Sequence, residues 1–210
     1  MPEHCIYLHG FASSPKSRKA TLLKREYQKR NLSLDIPNLN VPDFENLTLT
    51  AMLAAVREKF RPGTAVLGSS LGGYTAALLA AAEPVEALVL MAPAFDVAAR
   101  WQRRLGDEGL ANWRQDVYLP VFHQAYDREL SLRIGFLDDA TTHAPFPDVG
   151  QTPTLVFHGT EDDLVPMETV EAFVDGCANA ELVVFDDDHA LTKSGPEIVE
   201  RSLAFLGFDK

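Results

Sequence analysis

The chain has 210 residues, of which 46% are hydrophobic and 23% charged, a balance that excludes a wholly disordered chain, a collagen and a disulfide scaffold. The length points to one domain, and a chain of this size buries roughly 70–75% of its unfolded surface, so its core needs no disulfide or metal staple. Thirty acidic against 19 basic residues leave a formal charge of −11, a field that opposes phosphate backbones, so no nucleic-acid partner is expected.

In chain order, the start MPEHCIYLHG carries Glu3 and His4 where a signal peptide would be apolar. Cys5–Leu8 reads as a strand: short, continuously apolar and ended by His9-Gly10-Phe11. The next segment is basic, with Lys16, Arg18, Lys19, Lys24, Arg25, Lys29 and Arg30 against the single acid Glu26. Ser14 as cap with Pro15 at the first helical position signals its start. Its charges read as a solvated face around Ala20, Leu23 and Tyr27, or Lys16 and Arg18 attract an anionic leaving group. Ser33–Ile36 is a weak strand candidate. Leu49, Met52, Leu53, Val56 and Phe60 then repeat with the helical period.

Ala65–Leu67 is the next strand, followed by a helix whose stripe is Tyr74, Ala77, Leu78 and Ala81. The longest small and apolar run, 74–82, is far short of the roughly 20 residues that span a bilayer, so no membrane partner is expected. Ala87–Met91 is a further strand. From about 95 to 152 no strand is evident, although both tryptophans lie there with Tyr118, Phe122, Tyr126, Phe136 and Phe146. This reads as a helical, cap-like insertion whose aromatic residues form either an acyl pocket or only the insertion's own core. Strands Thr154–Phe157 and Leu182–Phe185 follow, separated by a helix on Val170, Phe173, Val174 and Cys177. A helix on Val199, Leu203 and Leu206 closes the chain. Such alternation predicts an α/β fold: a mostly parallel sheet of about six strands with helices on both faces, in a single domain. Cys5 and Cys177 lack metal spacing and read as buried, reduced thiols of a cytoplasmic protein.

Chemistry concentrates at Gly68-Ser69-Ser70-Leu71-Gly72-Gly73, which follows a strand and opens a helix. That is the setting of a G-x-S-x-G nucleophile elbow, where the turn is so tight that the residues two away from the nucleophile must lack bulk. Gly68 and Gly72 flank Ser70 in that way, whereas Ser69 has no such pair. A serine hydroxyl is a weak nucleophile and needs a base and a residue to orient it, here in the order Ser, acid, His. The acid belongs on the loop leaving Thr154–Phe157, where Glu161, Asp162 and Asp163 compete. The G-x-x-D-x-x-V-P register favours Asp162 over Asp163 and Glu161, with helix capping before Pro166 as the alternative use of all three. His189 is the only histidine downstream and stands on the loop after Leu182–Phe185. An Asp/His metal cluster at 186–189 is the weaker reading, because successive residues rarely converge on one ion. Backbone N–H groups of Phe11 and Leu71 are the candidate oxyanion donors. Trp101, Trp113 and Phe122 are the candidate substrate-binding residues.

The run YLHGFASSPKSRKA together with GSSLGGYTAALLA closely resembles the YqiA-like group of small bacterial esterases in the α/β-hydrolase superfamily. HGTEDDLVP and DDDHAL are similar to that superfamily's acid and histidine loops. The resemblance implies hydrolysis of small-molecule carboxylic esters or thioesters by Ser70, His189 and Asp162 without a cofactor. It also implies a shortened fold in which this first strand corresponds to the superfamily's third. A non-catalytic binding protein on the same fold is the reading from another class.

Overall fold

Strand residues alternate between two faces, and in this chain both faces are apolar, so the strands must be covered on both sides. The computed structural model describes residues 1–208 and follows that requirement. Its main sheet contains β1 (His4–Leu8), β2 (Thr64–Ser69), β3 (Ala87–Met91), β6 (Thr154–Gly159) and β7 (Ala180–Phe185). They are ordered β1-β2-β3-β6-β7, and every neighbouring pair is parallel. Ile6, Leu8, Val66, Leu88, Leu90 and Val156 face one core. Cys5, Tyr7, Leu67, Val89, Leu155 and Phe157 face the other.

The first core is covered by α2 (Leu49–Arg57), α3 (Leu71–Ala80) and α6 (Met167–Asp175), whose Met52, Leu79 and Phe173 are buried in it. The second is covered by α1 (Arg18–Lys29) and α7 (Gly195–Phe205) through Leu23, Tyr27, Ile198 and Leu203. Helix α3 is buried continuously from Leu71 to Leu79 because it lies between the sheet and α2, which explains its nearly all-apolar sequence.

Three sequence expectations change in detail. The weak strand at Ser33–Ile36 reduces to a single bridge between Asp35 and Ile6, so the sheet has five strands. Helix α1 is capped by Ser17, whose Oγ accepts the Ala20 N–H at 3.3 Å, while Ser14 Oγ accepts the Lys16 N–H in the turn before it. The insertion is not wholly helical. Between α4 (Val97–Asp116), bent at Gly106 where φ is 64°, and α5 (Gly135–Ala140) stands an antiparallel hairpin, β4 (Tyr118–His123) and β5 (Arg128–Arg133). Pro120 is tolerated in β4 because a two-stranded ribbon leaves each strand an outer edge that needs no donor. Among the described residues no helix is long and apolar enough to cross a membrane, and both cysteines are free thiols.

Candidate active site

The chain leaves β2 at Ser69 and enters α3 at Leu71, so one residue makes the whole turn. Ser70 makes it with φ 54° and ψ −120°, outside the right-handed region and costly for a residue with a Cβ. The neighbours hold it there. Ser70 N–H donates to the Met91 carbonyl at 2.9 Å, and the Ser70 carbonyl accepts from Tyr74 at 3.1 Å and Ala94 at 3.0 Å. A Cβ on Gly68 would collide with the Gly72 carbonyl, and one on Gly72 with the carbonyls of Leu8 and His9. Main chain cannot swing aside as a side chain can. Gly72→Ala is therefore expected to destabilise by about 3 kcal/mol, the upper end for overpacking, which lowers Tm by roughly 6–12 °C for a chain of this size. Gly135→Ala, where a Cβ meets nothing within 4 Å, should melt with the wild type.

Two loops at the carboxyl ends of β6 and β7 bring the other side chains to Ser70. His189 Nε2 lies 3.0 Å from Ser70 Oγ, and His189 Nδ1 lies 2.7 Å from Asp162 Oδ2. The Asp162 side chain is only 1% exposed. Its Oδ1 accepts the N–H groups of Leu164 at 2.9 Å and Val165 at 2.8 Å, which closes a turn before α6. Burial raises the Asp162 pKa, but hydrogen bonding and charge from His189, with the Val165 and Leu164 N–H groups, outweigh it and hold the carboxyl below its ordinary range. Glu161 and Asp163 point into solvent. Asp187, almost wholly buried, accepts from the N–H groups of Asp188 at 2.9 Å and Ser194 at 2.8 Å and so shapes the histidine loop. Among the described residues no group of His, Cys, Asp and Glu is arranged to hold a metal ion.

The loop after β1 passes directly over the elbow. A Cβ on Gly10 would stand 3.3 Å from Ser70 Cβ. His9, which abuts the end of β1, orients this loop through structural hydrogen bonds. Its Nε2 accepts the Leu39 N–H at 3.0 Å, so the proton sits on Nδ1 and is donated to the Gly10 carbonyl at 2.9 Å. Carbonyl and N–H of a trans peptide point opposite ways, so the Phe11 N–H is turned away from the His9 ring. Burial lowers the His9 pKa, which keeps the ring neutral and able to accept. Leu71 is the first residue of α3, so its N–H has no partner within the helix. His158 similarly spans its own loop, Nε2 donating to the Val165 carbonyl at 3.0 Å.

The three aromatic candidates separate. Trp101 meets the Phe11 ring edge-on at 5.9 Å and Trp113 at 5.3 Å. Trp113 is buried, its indole N–H donated to the Leu132 carbonyl at 3.0 Å. Phe44 and Phe136 complete this cluster around Phe11, at 5.3 and 5.6 Å. Phe122 is not part of it. The alternation of β4 turns its ring outward, where it is 54% exposed.

A five-stranded parallel sheet with a serine on a sharp strand-to-helix turn, and with an aspartate and a histidine on the carboxyl-end loops of β6 and β7, has the architecture of an α/β-hydrolase. Solved structures agree on the fold. Mouse alpha/beta hydrolase domain-containing protein 10 is 16% identical with a TM-score of 0.81, over 98% of this chain and 90% of that one. Est1E from Butyrivibrio proteoclasticus, solved with ferulic acid, is 24% identical with a TM-score of 0.78, over 99% and 90%. A chain from the structural work on LipS and LipT, two metagenome-derived lipolytic enzymes, gives 21% and 0.74, over 97% and 93%. The family profile described as Uncharacterised protein family (UPF0227), the YqiA family, matches residues 4–207, and the chain belongs to that family.

Proposed function

We propose that the protein is a serine hydrolase of carboxylic esters, with Ser70 as nucleophile, His189 as general base and Asp162 as the residue that orients the imidazole. The observation that carries this reading is the unbroken hydrogen-bonded chain Ser70 Oγ–His189 Nε2 at 3.0 Å and His189 Nδ1–Asp162 Oδ2 at 2.7 Å. With Nδ1–H held by the carboxylate, Nε2 presents its lone pair to the serine hydroxyl. Ser70 Oγ attacks the ester carbonyl carbon as Nε2 takes its proton. The resulting oxyanion is held by the Phe11 and Leu71 N–H groups, which are fixed before reaction and need no reorganisation. Nε2–H then protonates the departing alcohol, and the acyl group remains on Ser70. Water, deprotonated by Nε2, attacks the acyl-enzyme and releases the acid. Water and these residues supply every atom and proton, so the cycle calls for no cofactor.

Hydrolysis of p-nitrophenyl esters from acetate to palmitate tests the proposal, with a fluorophosphonate probe to label the nucleophile. Ferulate esters belong in the series because Est1E binds ferulic acid and because the rings of Phe11 and Trp101 meet edge to face here. The expected result is turnover of at least one ester together with labelling at Ser70. Labelling without ester turnover would move the substrate to acyl thioesters, which the same chain of groups can cleave. A protein that is neither labelled nor active would be a binding protein on the hydrolase fold.

A further inference from the structure

One basic residue of α1 does not belong to the solvated face that the sequence suggests. Lys19 turns inward, and its Nζ donates to Ser69 Oγ at 2.8 Å. Ser69 is buried and is the last residue of β2, immediately before the nucleophile. Lys19 stands on the helix that follows the Phe11 loop. Its hydrogen bond therefore ties α1, which the Phe11 loop leads into, to the end of β2, two residues before Leu71, across fifty residues of sequence. A carbon chain could fill the same space, but it could not donate to the lone pair of Ser69 Oγ that Lys19 occupies.

Charge adds a second effect. Among the described residues no carboxylate forms a close ion pair with this ammonium, yet Asp162, Asp187 and Asp188 all act on it through space. Those three acids surround the base, and their field opposes a new negative charge on the substrate oxygen. A half-buried cation behind the elbow offsets them at a site where water screens less than it does in bulk. The Tyr7 hydroxyl, beside Ser69 and Ser17, is the other titratable group facing this spot, and burial raises its pKa so that it stays neutral.

We propose that Lys19 is a positioning residue for the reaction, clamping α1 to the nucleophile elbow through Ser69 and holding the Phe11 and Leu71 donors at their working separation. This rests on the serine-hydrolase reading above. Withdrawal from water lowers the Lys19 pKa, with Asp162, Asp187 and Asp188 pulling it back up, and the balance lies at about 8. A neutral amine still donates to Ser69, so the clamp persists, but the cation that offsets the three acids is present below about pH 8 and lost above it, and activity should fall through that value as the offset disappears.

The test follows the rate of Ser70 labelling by a fluorophosphonate, and ester turnover, from about pH 6 to 10 in the wild type, Lys19→Met and Lys19→Arg. The wild type should lose rate on the alkaline side with a midpoint near pH 8. Lys19→Arg should keep its rate there, because a guanidinium stays protonated. Lys19→Met should label about 10- to 100-fold more slowly at pH 7, as a small misplacement of donors does, with KM nearly unchanged and no alkaline fall. A residue that merely stabilises the fold would shift Tm and leave the three pH profiles alike, and that result would overturn the proposal. So would an alkaline fall retained in Lys19→Arg, which also decides the matter if Lys19→Met fails to fold. A wild type that is never labelled removes the serine-hydrolase reading itself, whereas labelling lost in Ser70→Ala but indifferent to Lys19 removes only this inference.

Discussion

Ser70→Ala is expected to lower ester turnover by at least about 10³, with the melting temperature held within a few degrees. The methyl side chain fits wherever the hydroxymethyl does, and the main-chain bonds that hold the elbow, to Met91, Tyr74 and Ala94, do not involve Oγ. What is lost is the nucleophile and the partner of His189 Nε2. His189→Ala should lose a similar factor, because the hydroxyl keeps its place but has no acceptor for its proton. Combining the two should cost little more than either alone, since groups that act as one unit are grossly non-additive. Steady-state kinetics with a thermal melt of each variant checks all of this. Wild-type turnover in either single variant would remove the assignment.

Asp162→Asn should be comparably damaging, at about 10⁴ in kcat, for a reason that depends on orientation and not on charge alone. Two N–H groups, from Leu164 and Val165, point at the position of Oδ1, so an asparagine there must place its oxygen toward them. Its NH₂ then faces His189 Nδ1. Two donors cannot share a hydrogen bond, and the imidazole answers by carrying its proton on Nε2 instead. That nitrogen can no longer accept the serine proton. Asp163→Asn, at an exposed side chain, should leave kcat within about twofold, since surface changes of this kind are nearly neutral. The pair of variants thus separates the two carboxylates that the sequence leaves adjacent, and equal loss in both would contradict the geometry.

The difference between those neighbours shows where sequence reading runs out. The elbow is legible because its constraint is local: a one-residue turn between strand and helix demands glycine at Gly68 and Gly72 whatever the rest of the chain does. The histidine loop is legible because only His189 lies downstream of the acid. Asp162 and Asp163, by contrast, sit on one short loop, where the G-x-x-D-x-x-V-P register favours Asp162 without excluding its neighbour, and the turn that the Leu164 and Val165 N–H groups close is what points Asp162 inward. The hairpin of the insertion carried a readable signal that is easily missed. Leu119 and Val121, then Leu130 and Leu132, alternate with outward residues at period two, but the runs are too polar to resemble the buried strands of the main sheet.

The sequence alone therefore determined the layered α/β architecture, the parallel strands with apolar faces on both sides, and the serine on its strained turn, since each follows from short-range pattern and sterics. Tertiary structure decided what depends on side chains meeting across long separations: His9 holding the Phe11 loop through Leu39, Phe11 seated among Phe44, Trp101 and Phe136, and Lys19 reaching Ser69 instead of water. A basic residue on an amphipathic helix is by default solvated, and only the packing of α1 against the sheet turns one of seven inward. Composition and periodicity constrain which face of a helix is buried. They carry no information about which polar atom at the edge of that face finds a partner.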